Sequence, residues 1–292
     1  MVTLGDKEKI RKPFRFENMW TRDLNYFWVI KRAWQSTFQG DLMRNFNHKL
    51  IATKKNLAKW NQLHFRSIHD QIRLAKAKLQ KVELDTLNDF KRELQARKNL
   101  NEVLKREEIF WKQKSRIKWL REGDRSTKFF HASTIIRRRR NYISTLKSFE
   151  GTWTYGRESI DKLFLEGFKK QFMPARTTFP NGLDGLLDSS ISEQQNEALC
   201  LILEATEIEE ALNQINSDKA SGSDGFPDSF YKLHWEIIKT DVVAMVKCFF
   251  EQARMPHFLN RVNIVLIPKK ENAGAINDYR TIALCNIAYK II

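Results

Sequence analysis

Hydrophobic and polar positions follow helical spacing through the first half of the chain. No Gly or Pro occurs between Gly40 and Gly123, and the intervening segment is rich in Lys, Leu, Gln, Glu and Arg. Such a composition favours helix, because strong helix formers are present and helix breakers are absent. Spacings of three, four or their sums predict one apolar stripe that comprises Ile68, Ile72, Leu79, Val82, Leu87, Phe90 and Leu94. We therefore expect a long antiparallel helical hairpin or a coiled coil, with one candidate corner at Asn99 and Asn101.

Shorter patterns lie on either side of this region. Residues 11–20 alternate Phe with charged residues as a terminal strand would, and Thr21 or Asp23 is suited to cap the helix that follows. Residues 142–155 alternate apolar and polar positions around a Glu-Gly pair, which predicts a β-hairpin. An amphipathic helix is expected over residues 158–172.

The C-terminal third begins with a linker pattern and ends with a strand pattern. Residues 174–191 are rich in Pro, Gly, Ser and Asp, and Ser192 then opens a helical segment up to Leu203. Thr206, with Glu three residues later, forms a capping-box pattern for a second helix. An apolar, partly β-branched run follows at residues 264–267 and predicts a buried strand that pairs with the stretch after residue 278.

Charge and size narrow the class of protein. The 292 residues carry a formal net charge of +16, which indicates polyanionic partners, and 42% are apolar, which is enough to build a core. No stretch has the apolar length that a spanning helix needs, and no signal-peptide pattern is present, so an intracellular protein without a membrane contact is expected. The alternative is a soluble basic protein with no specific ligand.

Cysteine and histidine residues indicate neither disulfide bonds nor a zinc site. The three Cys residues are far apart in the sequence and no CxxC pair occurs. The six His residues are scattered without carboxylate or Cys neighbours at ligand spacing, so no bound metal or other cofactor is predicted for this chain.

Basic residues concentrate towards the end of the helical region. Residues 91–140 contain 17 Lys and Arg residues against 6 acidic residues. The candidate nucleic-acid contacts are Trp119, Lys128, Arg137, Arg138, Arg139 and Arg140. Four consecutive arginines repel one another unless anions are close, and neighbouring aromatic residues (Trp111, Trp119, Phe129 and Phe130) offer stacking faces for bases. A nuclear-localisation signal explains the same arginine run equally well.

Two further cations are predicted to lie together near the C-terminus. If the strands around residues 264 and 282 pair, Lys269 and Arg280 lie at the same end of the hairpin. Charge-assisted bonds to phosphate are strong, so this pair suits a triphosphate or a nucleic-acid backbone. The alternative is two solvated surface charges.

Several sequence blocks carry a family resemblance. The block LIPKK (residues 266–270), followed by DYRTIALCNIAYKII (residues 278–292), resembles the LIPK and D(F/Y)RPISLCNxxYKI segment of reverse transcriptases from plant LINE-type, non-LTR retrotransposons. SDKASGSDGFP (residues 217–227) resembles the KAPGPDGF signature of that family. Residues 119–143 resemble its W(L)xxGDxNTKFFH segment, and KPFRFENMW (residues 12–20) resembles the end of its upstream endonuclease domain. Departures include Thr281, Ala283, Ser221 and Ser223, and the two serines predict less rigidity in the glycine loop, residues 221–225.

The resemblance implies RNA-directed DNA synthesis in the intact family enzyme, with magnesium held by aspartates of the palm domain. By resemblance, Lys269 and Arg280 match residues that contact nucleotide phosphates and the template. No (Y/F)xDD sequence occurs in the chain. We therefore expect a truncated fragment with no catalytic residues that does not polymerise alone, and we expect residual binding to RNA and DNA in the nucleus.

The predicted fold class is α+β and predominantly helical, with a long basic helical hairpin or coiled coil followed by incomplete reverse transcriptase fingers. The predicted organisation comprises an endonuclease tail (1–20), a basic connector (21–141), a hairpin and helix (142–173), a linker (174–191) and a fingers segment (192–292). Two other hypotheses stay open at this stage. One is a helical interaction protein that forms a homodimer through residues 42–110, and the other is an active polymerase whose missing aspartates come from another chain.

Overall fold

The computed structural model describes residues 13–38, 40–85, 90–117, 127–174, 191–216 and 219–292. The described residues form eleven α-helices and four short strands. They confirm the predicted α+β, predominantly helical fold class. The chain divides into two compact units, the first comprising residues 1–136, 205–263 and 284–292 and the second comprising residues 137–204 and 264–283.

The first unit is helical. Its helices are α1 (Leu24–Trp34), α2 (Leu42–Trp60), α3 (Ile68–Glu83), α4 (Phe90–Ser115), most of α5 (Thr127–Arg140), α8 (Ala205–Gln214), α9 (Asp228–Leu233), α10 (Trp235–Gln252) and α11 (Ile287–Ile291). A 3₁₀ turn at Asn18–Arg22 precedes α1, and Asp23 caps α1 by accepting a hydrogen bond from the backbone N–H of Asn25, as predicted. The predicted strand over residues 11–20 is wrong within the described part, because residues 13–17 are irregular and the 3₁₀ turn follows them, with Phe16 buried in the core.

Within the described residues, the long segment without Gly or Pro forms three separate helices, α2, α3 and α4. Helix α2 ends in a π-helical turn at Asn61–Phe65, and Arg66 takes a positive φ of 56° that no continuous helix allows. Helices α3 and α4 then pack against each other as the predicted hairpin. The proposed corner at Asn99 and Asn101 is wrong, since α4 runs unbroken through both residues, whereas α3 ends at Glu83 and α4 begins at Phe90.

The predicted apolar stripe holds only for α3. Ile68 is buried, Ile72, Leu79 and Val82 are half-buried, and Leu87 lies outside the described residues. Phe90 and Leu94 are 75% and 41% exposed, whereas Ala96 and Val103 are buried on α4. The predicted stripe does not continue from α3 to α4, because α4 is a separate helix and its buried face is not in register with that of α3.

An aromatic cluster forms the core of the first unit. Phe16 packs edge-on against Trp20 and against Phe230 of α9, with ring centroids 5.4 Å apart in both pairs, and Trp20 packs on Trp60 of α2. Phe14 lies 5.3 Å from Phe226. Large aromatic side chains bury much apolar area and add edge-to-face attraction. Residues 13–20 are thereby fixed to residues 226–230, which are distant in sequence.

Polar contacts connect the helices around this cluster. The Arg22 guanidinium forms two hydrogen bonds of 2.6 Å with the Glu102 carboxylate, which joins the start of α1 to α4. Asp241 of α10 accepts hydrogen bonds from Lys49 Nζ of α2 and from Trp34 Nε1 of α1, at 2.8 and 2.7 Å. Helices α1, α2 and α10 therefore share one mostly buried carboxylate.

The second unit is a small α+β arrangement. Strands β1 (Thr145–Lys147) and β2 (Trp153–Tyr155) form the predicted hairpin with Leu146 opposite Thr154. Strands β3 (Asn263–Pro268) and β4 (Tyr279–Leu284) pair in a second two-stranded sheet, and α6 (Arg157–Gln171) and α7 (Glu193–Cys200) complete the unit. Leu146, Ile160, Phe164, Ile276 and Tyr279 form its core, against which Leu266 packs.

Sequence expectations for the helices of residues 157–214 hold with small shifts. Helix α6 matches the predicted amphipathic helix, and Ser192 forms a capping box with Gln195 at the start of α7. Helix α7 ends at Cys200 rather than at Leu203. Helix α8 begins at Ala205, so Thr206 lies inside the helix and is not its cap.

A buried histidine makes the stability of the first unit sensitive to acid. His234 is 2% exposed, its Nδ1 bonds the backbone oxygen of Phe230, and its Nε2 pairs with the hydroxyl of Tyr26. Burial lowers the pKa of His234 to about 4 from its ordinary 6.5. The neutral ring is therefore favoured in the folded state, with Nδ1–H donating to the carbonyl and Nε2 accepting from the hydroxyl.

We predict that the contribution of His234 to stability falls by up to about 3 kcal/mol as the pH drops from 6.5 to 4, because protons bind this histidine preferentially in the unfolded state. Asp224, whose pKa is raised by burial, changes stability in the opposite direction over much of this window, so the contribution of His234 is measured as a difference between variants. Urea unfolding followed by tryptophan fluorescence at several pH values should show that the stability of His234→Phe relative to the parent rises over that window, whatever its stability at pH 8. An unchanged slope in this variant would refute the assignment.

Candidate nucleic-acid interface

Lys269 and Arg280 line one cleft in the second unit. Lys269 follows β3 directly and Arg280 lies in β4, and the pairing of these strands places both cations on the same cavity of about 350 Å³. Phe168 and Gln171 of α6 and the backbone around Asn277 form other parts of the wall. The sequence expectation that the two residues lie together is met. Whether they bind phosphate stays a prediction.

The three residues of the DYR motif, Asp278, Tyr279 and Arg280, have different structural roles around this cleft. Asp278 accepts hydrogen bonds from the backbone N–H groups of Gly274 and Ala275, at 3.1 and 3.0 Å, and so shapes the loop between the strands. Tyr279 is 7% exposed and packs edge-on against Phe164 of α6. Arg280 is exposed on the next position of the strand. Because neighbouring strand residues face opposite sides, anchoring Tyr279 in the core turns Arg280 outwards.

The cations of this hairpin differ in their existing partners. Lys270 forms a 2.8 Å ion pair with Asp278, and this bond, with the two backbone N–H groups, lowers the pKa of Asp278 to about 2. Lys269 Nζ donates to the backbone oxygen of Asn277 at 2.7 Å. Arg280 has no ion pair or side-chain hydrogen bond within the described part of the chain. Its five donors are available to an anion from solution.

A second basic surface lies at the end of α5. Arg137, Arg138, Arg139 and Arg140 form its last turn and are all exposed, and Lys128 is exposed near its start. Cations in the last turn of a helix interact favourably with the partial negative charge of its C-terminal carbonyl groups. We define this set, Lys128 and Arg137 to Arg140, as the α5 basic surface. Trp119 lies outside the described residues.

The aromatic residues near this surface differ from the expectation. Phe130 is 2% exposed and therefore offers no stacking face for a base. Trp111 is half-buried, with its ring centroid 4.3 Å from that of His131 in an edge-on contact. Phe129 is 41% exposed and is the remaining described aromatic of the predicted group. Fewer aromatic faces are therefore available to stack on bases than the sequence predicted. Neighbouring positions on a helix point in different directions, so Phe130 packs into the core while Phe129 stays exposed.

The glycine loop and the residues after β4 meet in the first unit. The amide oxygen of Asn286 accepts from the backbone N–H of Asp224 at 3.1 Å and lies 3.2 Å from Ser223 Oγ. Its amide nitrogen donates to the backbone oxygen of Phe258 at 3.3 Å. Asn286 is 4% exposed, so this side chain is a buried link between three segments. Ser223, one of the departures from the family pattern, takes part in this link.

The N-terminal segment holds the other side of the same loop. Arg15 Nη1 donates to the backbone oxygen of Gly222 at 2.8 Å, and the backbone N–H of Phe16 donates to Gly225 at 3.0 Å. Gly225 has a φ of +87°, and a Cβ there would lie 2.3 Å from the Phe14 oxygen. Glycine is therefore required both by the backbone angle and by the close approach. Of the residues that hold this loop, Arg15 and Asn286 stand inside sequence blocks quoted above, but no spacing pattern singled them out.

Three further structural observations concern helix length, metal ligands and cysteines. Every helix among the described residues is too short or too polar to cross a bilayer. Within the same residues, no three His, Cys, Asp or Glu side chains group as metal ligands. The three cysteines are free thiols.

Comparison with known proteins gives one informative relation. No protein-family model matches the chain. The chain is similar to a Xenopus laevis protein described as "Transposon TX1 uncharacterized 149 kDa protein", with 26% identity over 181 residues. The matched region covers 61% of this chain and 14% of the Xenopus protein. The similarity relates the chain to a transposon protein, and the match spans about one seventh of that relative's length.

We predict that replacing Asn286 with Ala destabilises the first unit by about 2–4 kcal/mol, because the part-buried Asp224 N–H, Ser223 hydroxyl and Phe258 carbonyl lose this buried partner together. Urea denaturation followed by tryptophan fluorescence measures the change. Asn260→Ala is the control, since Asn260 is exposed and its substitution should stay within about 0.5 kcal/mol of the parent. Equal effects of the two substitutions would contradict the role of Asn286 as a link.

Proposed function

We propose that this chain is a nucleic-acid-binding part of a polyprotein of the non-LTR retrotransposon type, related to its RNA-directed DNA polymerase. The observation that carries the proposal is the cleft that Lys269, directly after β3, and Arg280 of β4 line together. Two sequence blocks that resemble fingers motifs place Lys269 and Arg280 on one cavity, with Arg280 unpaired among the described residues. The relation to a transposon protein and the net charge of +16 support it.

The cleft suits phosphate groups of a nucleotide or of an RNA or DNA strand. Arg280 presents a planar set of donors that matches two phosphate oxygens, while Lys269 contributes a compact charge held by the Asn277 carbonyl. Neutralised backbone phosphates release counterions, so such binding weakens steeply with salt. The α5 basic surface adds sequence-independent contacts to the backbone and, as an exposed arginine run, is compatible with import into the nucleus.

Magnesium belongs to this proposal only through the family resemblance. The described residues offer no grouped His, Cys, Asp and Glu ligands for a metal ion. We therefore derive no catalytic step on this chain and assign to it binding and positioning of nucleic acid. Primer extension with magnesium and nucleotides tests for synthesis directly.

For the cleft, we expect the single substitutions Lys269→Met and Arg280→Met to weaken binding of single-stranded RNA. Each lost phosphate contact should reduce the slope of log affinity against log salt by about 0.7. Fluorescence anisotropy at four or more salt concentrations gives the slope. Lys162→Met removes the same charge from an exposed position of α6 outside the cleft and should leave the slope nearly unchanged. If all three substitutions act alike, the cleft is not a phosphate site.

For the α5 basic surface, we expect the combined substitution of Arg138, Arg139 and Arg140 by Met to reduce the same slope by about 2 for single strands. Lys76, Lys78 and Lys81 are exposed on α3, and their replacement by Met is the charge-matched control. The salt dependence of RNA binding compares the two triple variants. A larger effect of the α3 substitutions would assign the backbone contacts to the helical hairpin instead.

A second candidate function is self-association through the helical region of residues 42–110. The α3–α4 hairpin leaves large apolar side chains exposed, namely Leu74 at 63%, Phe90 at 75% and Leu94 at 41%. Exposed apolar residues on a hairpin favour contact with another protein surface. Sedimentation with and without RNA separates the two functions, because a concentration-dependent dimer that is indifferent to RNA favours self-association.

A further inference from the structure

A second cavity, of about 240 Å³, lies wholly within the first unit. Its wall comes from α2, the glycine loop, the turn at residues 257–261 and the start of α11. One part of the wall is apolar and accessible, with Ile51 and Phe258, and another carries the cations Lys54 and Arg261. Small-molecule sites usually combine an apolar wall with a few convergent polar groups.

The two cations form no direct ion pair among the described residues, although Lys54 interacts electrostatically with Asp224. Neither Lys54 nor Arg261 forms an ion pair within the ranges that the structure describes. Lys54 instead stands over the Phe14 ring, with Nζ 5.6 Å from its centroid, and the Arg261 carbonyl lies 3.3 Å from Ser223 Oγ. Two unpaired cations that face one cavity attract an anion, since charge-assisted hydrogen bonds are about twice as strong as neutral ones.

One acidic side chain, Asp224, shares this cavity. Its Oδ1 accepts from the backbone N–H of Phe226 at 3.0 Å. Burial raises the pKa of Asp224 to about 6, although Lys54 and Arg15 act in the opposite direction. The carboxyl is thus a weak competitor for the cations, and it becomes neutral near pH 6.

We propose that this cavity binds one nucleotide, with its phosphate on Lys54 and Arg261 and its base against the apolar wall. The apolar wall argues for a phosphate on an aromatic body rather than for inorganic phosphate alone. The volume lies slightly below the range of about 300–1,000 Å³ typical of ligand pockets, so part of the nucleotide stays in solvent. The nucleotide is either a free molecule or one unit of an RNA strand. The site differs from the Lys269–Arg280 cleft and does not depend on the function proposed for it.

Asp224 gives the site a defined pH dependence. The titratable and charged groups around it are Lys54 on α2, Arg15 on the N-terminal segment and Tyr231 on α9, and Arg261 and His257 on the turn before β3 line the same cavity. Ionised Asp224 repels a phosphate, so affinity should rise as the pH falls through about 6. Asp224→Asn keeps an oxygen for the Phe226 N–H and removes the charge. This variant should bind more tightly at pH 7.5 and change less with pH.

Lysine acetylation read by mass spectrometry tests the proposal on the full chain. AMP and an oligoadenylate of six residues are the two probes. At ten times the dissociation constant, a bound probe should slow acetylation of Lys54 roughly tenfold, because the empty site is depleted by mass action. The neighbouring Lys55 is exposed, does not line the cavity and is the internal control. Protection by AMP identifies a free nucleotide, and protection by the oligomer alone identifies a strand.

Two outcomes would overturn the proposal: no protection by either probe, or equal protection of Lys54 and Lys55. The variant Arg261→Met should weaken the affinity for AMP or the oligomer about tenfold, as expected for one lost charge-assisted bond, so that the same probe concentration slows acetylation of Lys54 only about twofold. Arg254→Met, at an exposed position outside the cavity, should not. Lys269→Met with Arg280→Met should leave AMP protection of Lys54 unchanged, which separates failure of this site from failure of the cleft.

Discussion

The first unit depends on a close contact between the backbone of Gly222 and Asn286, which leaves no room for a side chain at position 222. A Cβ on Gly222 would lie 2.3 Å from Asn286 Oδ1 and 2.5 Å from the Asn286 backbone nitrogen. Any other residue at position 222 forces backbone to move, since these neighbours are not flexible chain ends. The contact lets Asn286 bond the loop, and the loop in turn carries Phe226 into the aromatic cluster. The N-terminal segment, the glycine loop and the C-terminal helix are therefore interdependent.

In the second unit, a charged side chain holds the loop between β3 and β4, whereas close backbone packing holds the glycine loop of the first unit. Asp278 holds the loop between β3 and β4 through two backbone N–H groups and Lys270, and it thereby fixes the position of the cleft residues. An exposed ion pair contributes little stability, so the carboxylate acts mainly by satisfying backbone donors. Tyr279 supplies the buried contact that anchors the strand. The exposed cations are thus positioned by a loop in which Asp278 and Lys270 neutralise each other.

The cations that line the two cavities were not equally predictable from the sequence. Lys269 and Arg280 were predictable because they flank two short strands that pair, and register along a strand fixes which end they share. Lys54 and Arg261 are 207 residues apart and belong to a long helix and an irregular turn. Neither local spacing nor composition relates them. The corner of the helical hairpin was missed for a related reason, since the polar residues Asn99 and Asn101 fit the exposed face of a continuous helix as well as they fit a turn.

The sequence by itself determined the helical character, the β-hairpins, the caps at Asp23 and Ser192, and the basic surface of α5. These features depend on propensity, periodicity and hydrogen bonds between residues close in the chain. All three can be recognised from short stretches of sequence. Only the tertiary structure decided that residues 13–20 join the core at Phe226 and Phe230, that Phe130 is buried beside exposed arginines, and that Asn286 bonds the glycine loop. Each of these depends on contacts between distant segments, whose geometry is set by packing of the whole unit rather than by any local pattern.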